Sequence, residues 1–145
     1  MATQTSLQRK ARRALLSRAK SDAALTALVP AASISPTGEP EWPHIRIESP
    51  RTLRIRMACV KGATVSFDVH AFARAREENG ALVETGYDHA SRIGSSIEAV
   101  FDDTRITLES GAICRVRLSD TQLLRDEEPD AWHWIAQANC RVLAD

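Results

Sequence analysis

The sequence has few of the residues and patterns that mark several large protein classes. Aromatic residues make up only 5% of its 145 residues, and there are three Cys and four His. Cys59, Cys114 and Cys140 lie far apart, which excludes the Cys-x-x-Cys spacing of zinc ribbons and thioredoxin-like redox sites. An odd number of Cys without a secretory signal predicts reduced thiols in a cytoplasm. No apolar run approaches the roughly 20 residues that a membrane-spanning helix needs.

An excess charge of either sign is also missing. Lys and Arg together number 19 and so do Asp and Glu, so the formal net charge is zero. Overall charge therefore gives no reason to expect a nucleic acid, a membrane or an acidic substrate as partner. A surface of low net charge is poorly protected against self-association, which suits a protein that assembles.

The first 21 residues depart from this balance, because they carry six basic residues and no acid. Such a composition, with several Ser and Thr, is similar to that of an organellar transit peptide. The alternative is a first helix with one solvated basic face, since the segment runs without a linker into the next helical pattern.

Apolar residues at helical spacing predict three helices. The first covers residues 5–20, and a short one follows at residues 22–29, where Ser21 and Asp22 are suitable N-cap residues and Pro30 ends the helix. The proline-rich stretch 31–43 is expected to be a loop. Thr85 and Asp88 resemble a capping box ahead of a third, clearly amphipathic helix at residues 85–102.

Alternating apolar and polar residues predict strands within residues 44–72 and 104–143. Leu53, Ile55, Met57 and Cys59 are expected to face the core, and Lys61-Gly62 is expected to be the turn of a hairpin. Residues 74–81 are predicted to form a polar loop, and residues 125–130 an acidic one. Trp132, Trp134, Ala136, Ala138, Cys140 and Val142 mark a half-buried final strand.

The order helix, strands, helix, strands predicts one α+β domain spanning residues 1–145. In this fold class a largely antiparallel β-sheet has its two main helices packed on one face.

Residues that carry chemistry are scattered along the sequence. Asp68 and His70 share one face of a predicted strand and could support general-base catalysis, but no nucleophile or metal ligand accompanies them. The other three His, at positions 44, 89 and 133, are isolated and lack metal-ligand spacing. No glycine-rich phosphate-binding motif is present. We expect no catalytic residue, no metal site and no cofactor, and we interpret the Asp68–His70 face as solvated.

Basic residues also lie on the predicted hairpin. Arg51, Arg54, Arg56 and Lys61 are candidates for contacts in a channel or at an interface, although ordinary pairing with acids such as Glu77 and Glu78 is the alternative. Sequence-specific DNA reading is not indicated, because it needs a recognition helix or an aromatic platform. Weak, non-specific contact with phosphates is compatible with these side chains.

The order of these segments resembles the small tail-completion proteins of long-tailed phages and gene transfer agents, also called tail terminators or head-to-tail joining proteins. The opening "LQRKARRALLSRAKSDAALTALVP" (residues 7–30) is similar to their Ala- and Leu-rich start, and "PHIRIES" (residues 43–49) to their proline-led first strand. "ATVSFDVHAFAR" (residues 63–74) resembles their central strand, with Phe72 where the family usually has Trp. The segments "ITLESGAICRVRLSDTQLLRDEEP" (residues 106–129) and "WIAQANCRV" (residues 134–142) follow in the family's order.

The resemblance covers nearly the whole chain but rests on pattern and order. It implies a structural, non-enzymatic protein of a virion or phage-like particle, present in the host cytoplasm during assembly. Its partners would be further copies of itself in a ring, commonly a hexamer, together with the tail tube protein and the head-closure or connector protein. DNA would pass through the ring, and no membrane is involved. On the residues alone, the competing interpretation is a non-specific nucleic-acid-binding or regulatory module that uses the basic first helix.

Overall fold

A computed structural model describes residues 4–57 and 60–143, with the backbone alone for residues 4–6, 57, 60 and 61. Cys59 and the side chains of Met57 and Lys61, which were assigned positions from the sequence, therefore lie outside the described part. The helices are α1 (Gln4–Ser21), α2 (Ala23–Leu28) and α3 (Gly86–Phe101), with a 3-10 turn at Ala31–Ser33. The strands are β1 (His44–Met57), β2 (Val60–Arg74), β3 (Arg76–Glu78), β4 (Ala81–Glu84), β5 (Thr104–Thr107), β6 (Ile113–Arg125) and β7 (Ala131–Leu143).

Five of the strands form one sheet in the order β1-β2-β7-β6-β5, and each neighbouring pair is antiparallel. The helices pack on one face of this sheet, α1 against β1 and α3 against β2, β7 and β6. The α+β fold with helices on one face is thus confirmed. In the described part of the chain, no helix combines the length and apolarity required to cross a membrane.

The helix starts lie where the sequence places them. The Asp22 carboxylate accepts a hydrogen bond from the backbone N–H of Leu25 at 2.9 Å, and the Thr85 hydroxyl accepts one from Asp88 at 3.2 Å. Both contacts satisfy an N–H group that has no partner within its own helix, which fixes the first turns of α2 and α3.

The core lies between the helices and the two central strands, β2 and β7, whose alternation is unbroken. Their inward residues are buried, among them Val65, Phe67 and Val69 on β2 and Trp134 and Ala136 on β7. The sheet face that the helices do not cover, called the open face below, carries the alternate residues of the same strands.

A close approach between α3 and the sheet occurs at Gly94. A Cβ atom at this position would lie 2.6 Å from Cε2 of Trp134, closer than packing allows. Glycine therefore lets the indole ring rest directly on the helix backbone. This contact sets the spacing between the helix layer and the sheet.

A β-bulge in β1 reverses the expected orientation of its second half. Glu48 lies opposite Asp68 and Arg51 opposite Ser66, so β1 uses three steps where β2 uses two, with Ser49 at a positive φ of 54°. Since side chains alternate with a period of two, one extra residue moves every later side chain to the other face. The prediction that Leu53 and Ile55 face the core is therefore wrong, and Leu53 is 73% exposed.

Two other local predictions need correction. Gly62 is not in a turn: it lies within β2, opposite both Ile55 and Leu143. The predicted polar loop at residues 74–81 contains the end of β2 and the beginning of a separate short hairpin, β3–β4. The sequence around Gly62 and the sequence of the β3–β4 hairpin carry weak local signals, so pairing with neighbouring strands decided their conformation.

We expect Trp134→Ala to lower the free energy of unfolding by about 3–5 kcal/mol. The substitution removes a buried indole and leaves a cavity beside Gly94, which has no side chain to fill it. Leu124→Ala, on the neighbouring strand and 46% exposed, is the control and should cost less than about 1 kcal/mol. Chemical denaturation of both variants measures the difference. Equal losses in the two variants would contradict the importance of the Trp134 contact.

Candidate functional site

The four basic residues selected from the sequence do not share one surface. Arg51 lies on the open face, where its Nη2 is 3.1 Å from Oδ1 of Asp68. Arg54 lies opposite Ala63 and Arg56 opposite Lys61, which places both on the helix-covered side of the sheet, and both are exposed. The bulge in β1 is the cause of this division.

Several Arg side chains of the basic helix α1 bind other parts of the same chain. Arg12 donates from Nε to the Ile47 carbonyl at 3.1 Å, and Arg18 donates from Nε to the Val100 carbonyl at 2.6 Å. Arg9 and Arg13 both form salt bridges with Glu109. These contacts attach the helix to β1, α3 and the loop after β5, which counts against α1 as a nucleic-acid-binding surface.

Asp68 and His70, the one pair with catalytic potential in the sequence, have separate partners in the structure. The Asp68 carboxylate binds Arg51, while His70 Nδ1 is 2.6 Å from Nε2 of His133 on β7. Within the described residues, no group of three or more His, Cys, Asp or Glu side chains could hold a metal ion.

The folded chain collects three His around one Phe on the open face. His44, Phe72 and His133 lie opposite one another on β1, β2 and β7, and His70 is two residues from Phe72. The ring centroid of Phe72 is 4.7 Å from that of His44 and 4.3 Å from that of His133, with the rings stacked in both cases. Trp42 meets His44 edge to face at 5.2 Å. We call these five residues the histidine cluster.

His44 is the most strongly perturbed member of the histidine cluster. Its pKa is lowered to about 4, chiefly by burial and then by the positive charges of Arg46 and Arg74, while Asp126 opposes them and His133 adds a smaller lowering effect. Its Nδ1 is buried and has no hydrogen-bond partner among the described residues. His44 is therefore a neutral ring that packs as an aromatic residue.

The hydrogen bond between His70 and His133 needs a single shared proton, because one ring nitrogen must donate while the other accepts. Burial lowers the pKa of His133, and the proximity of His70 lowers it further. The lowered pKa keeps the His133 ring in its neutral form, in which Nε2 can either donate or accept this hydrogen bond.

Sequence reasoning missed the histidine cluster because its members come from three separate strands and the segment before β1. The alternation of His70 and Phe72 along the polar side of β2 was the only local signal. Which residues of β1 and β7 lie opposite them depends on strand order and register, and neither is visible in the sequence.

A family model described as tail completion protein gp17 matches residues 13–143. A search of curated protein sequences finds no match. The chain is also similar to a solved structure described as the virion of a native gene transfer agent particle, with 15% identity and a TM-score of 0.74. That likeness covers 92% of this chain and 94% of the other.

A second solved structure has 16% identity and a TM-score of 0.56, covering 95% of this chain and 96% of the other. At these identities the two structures show that the fold is shared over almost the entire length of each chain.

The lowered pKa of His44 predicts a stability that depends on pH. Because the folded state holds this proton less tightly than the unfolded state, the contribution is complete above about pH 6.5 and is lost as the pH falls toward about 4. The loss is at most about 3 kcal/mol. His44→Phe keeps the stacking and removes the titration, so its stability should change less over this range. Urea denaturation at several pH values tests this, and parallel curves for both proteins would contradict it.

Proposed function

The chain belongs to the tail completion protein gp17 family, and on this premise we propose that it forms a ring that caps the tail tube and joins it to the head-closure protein. Family membership makes it a structural tail assembly protein of a phage or gene transfer agent particle. The proposal adds the ring, its six copies, and the two partners on either side of it.

The extent of the family match carries this proposal. Residues 13–143 run from the middle of α1 to the end of β7, so the match includes the second half of α1 and all the later helices and strands rather than one local motif. The similar chain in the gene transfer agent virion also corresponds over nearly its whole length. A function shared with such relatives would therefore depend on the whole domain and not on one local motif.

The arrangement of side chains fits a structural role better than an enzymatic one. The polar residues in the middle of the open face are bound to one another: Asn139 accepts from Ser66 at 2.8 Å and from Gln137 at 2.7 Å, and donates to Ser119 at 3.0 Å. Such mutual bonding holds the strands together and leaves no activated nucleophile among these groups.

Particles produced without this protein test the proposed function. We expect filled heads and tail tubes to accumulate separately, because the component that ends the tube and accepts the head would be missing. Electron microscopy and DNA-delivery titres measure this, and supplying the gene in trans should restore joined particles. Joined particles of normal titre and tail length without the protein would contradict the proposal.

We further propose that Arg54 and Arg56 contact DNA weakly where it passes the ring. Both side chains are exposed and neither forms a salt bridge with a described residue. They lie near the tip of the β1–β2 hairpin, beyond the hydrogen bond from Gln8 of α1 to Thr52.

The variant Arg54→Glu with Arg56→Glu should fold normally, since exposed charges contribute little to stability, but should lower the DNA-delivery titre at least tenfold. Lys20→Glu with Ser17→Glu is the control, because both side chains are exposed on α1 and Lys20 forms no salt bridge with a described residue. It lowers the net charge by three, against four for the hairpin variant. A normal titre of the hairpin variant would show that these two residues have no functional role.

A further inference from the structure

One end of the open face carries a row of Arg side chains with too few acids to balance them. Arg105, Arg115 and Arg141 lie directly opposite one another on β5, β6 and β7, and all three are exposed. Arg117 is two residues farther along β6. Asp103 contacts Arg115 at 2.9 Å and Arg117 at 3.9 Å, while Arg105 and Arg141 form no salt bridge with a described residue. Like charges placed directly opposite one another destabilise an isolated sheet.

Large exposed apolar side chains surround this row. Leu53, Ile113 and Leu143 are 73%, 56% and 49% exposed. Leu53 lies opposite Thr64, which in turn lies opposite Arg141, and Leu143 is two residues beyond Arg141 on β7. We call the four Arg and these three apolar residues the basic end of the sheet.

The opposite end combines exposed apolar residues with acids. It comprises the β3–β4 hairpin with its exposed Leu82 and Val83, Tyr87 at the start of α3, Leu124 at the end of β6, and the acidic loop at residues 126–130, which we call together the acidic end. The β3–β4 region adjoins this loop, since the Ala75 N–H donates to the Asp130 carbonyl at 3.2 Å. All the large hydrophobic side chains that are exposed in the described residues lie at one end or the other.

The acids at this end are only partly paired within the chain. Glu128 is bound by Arg74, and Glu84 by Arg76 and Arg92. Glu77 and Glu127 are exposed and form no salt bridge with a described residue. The acidic end is therefore left with unmatched negative charge.

The two ends are too far apart to neutralise each other within one molecule. Ala131 adjoins the acidic loop and Arg141 belongs to the basic end, and they are about 33 Å apart at the rise of a β-strand. The two ends carry opposite charges, and both expose several large apolar side chains.

We propose that the basic end of one copy binds the acidic end of the next copy, head to tail. Repeating a contact between two different patches produces a closed ring when the rotation from one copy to the next returns to the first copy. The proposal rests on the ring of the proposed function and identifies the surface through which its subunits meet.

The apolar residues favour a second copy over nucleic acid as the occupant of the basic end. Phosphate contacts are made by Arg and Lys and gain nothing from exposed Leu and Ile side chains. Protein interfaces, in contrast, combine a desolvated apolar centre with Arg. The acidic end supplies both complementary features on the same chain.

Two charge-reversed variants test this surface. Variant A is Arg105→Glu with Arg141→Glu, which places each new Glu opposite Arg115 and should leave the melting temperature of the domain unchanged or raised. Variant B is Glu77→Arg with Glu127→Arg at the acidic end. Lys20→Glu with Ser17→Glu, at two exposed positions of α1, is the control for the change in charge.

Each variant is expressed in place of the natural gene, and its copies per purified particle are measured. We expect the number of copies per particle to fall at least tenfold for A alone and for B alone, and to stay unchanged for the control. Co-expression of A and B should restore incorporation, because A then has two acidic ends and B two basic ends, and the two can alternate around a ring.

Normal incorporation of A or of B alone, or failure of folded A and B to restore it together, would overturn the head-to-tail contact. Normal incorporation of A with reduced DNA delivery would also overturn it and would assign the basic end to nucleic acid. These outcomes are distinct from failure of the proposed function, in which particles without any of the protein would still be joined.

Discussion

The packing of Trp134 on the backbone of α3 at Gly94 is the contact on which the two-sided character of the sheet depends. It brings α3 close to the central strands and buries the inward residues of β2 and β7. Once the helices cover one face, the alternate residues of the same strands must occupy the other. The histidine cluster, the polar residues around Asn139 and the Arg row are all consequences of this placement.

The open face has an order along the strands that suits a subunit with two different ends. Stacked rings lie toward the acidic end, hydrogen-bonded polar side chains lie in the middle, and arginines lie at the basic end. The β1 bulge contributes to this order, because it turns Leu53 outward and moves Arg54 and Arg56 to the other side. β6 has a similar bulge between Ser119 and Gln122, and beyond it Leu124 lies on the open face.

The histidine cluster shows how an aromatic site can form without an aromatic sequence motif. His44 packs between Trp42 and Phe72, and because it is buried it remains neutral where an exposed His would begin to titrate. The His70–His133 bond then ties β2 to β7 at the same level. The lowered pKa values of His44 and His133 keep both rings neutral at this end of the sheet, next to a loop rich in carboxylates.

Local sequence determined the elements whose signals lie within a few residues. The caps at Asp22 and Thr85, the amphipathic α3 and the alternation of β7 could all be predicted, and the order of segments led to the correct family. Tertiary structure alone decided strand order, register and the bulges, because these depend on pairing between distant segments and one inserted residue reverses every following side chain. That is why Leu53 was assigned to the wrong face, and why the histidine cluster and the row formed by Arg105, Arg115 and Arg141 emerged only when β1, β2, β5, β6 and β7 were placed side by side.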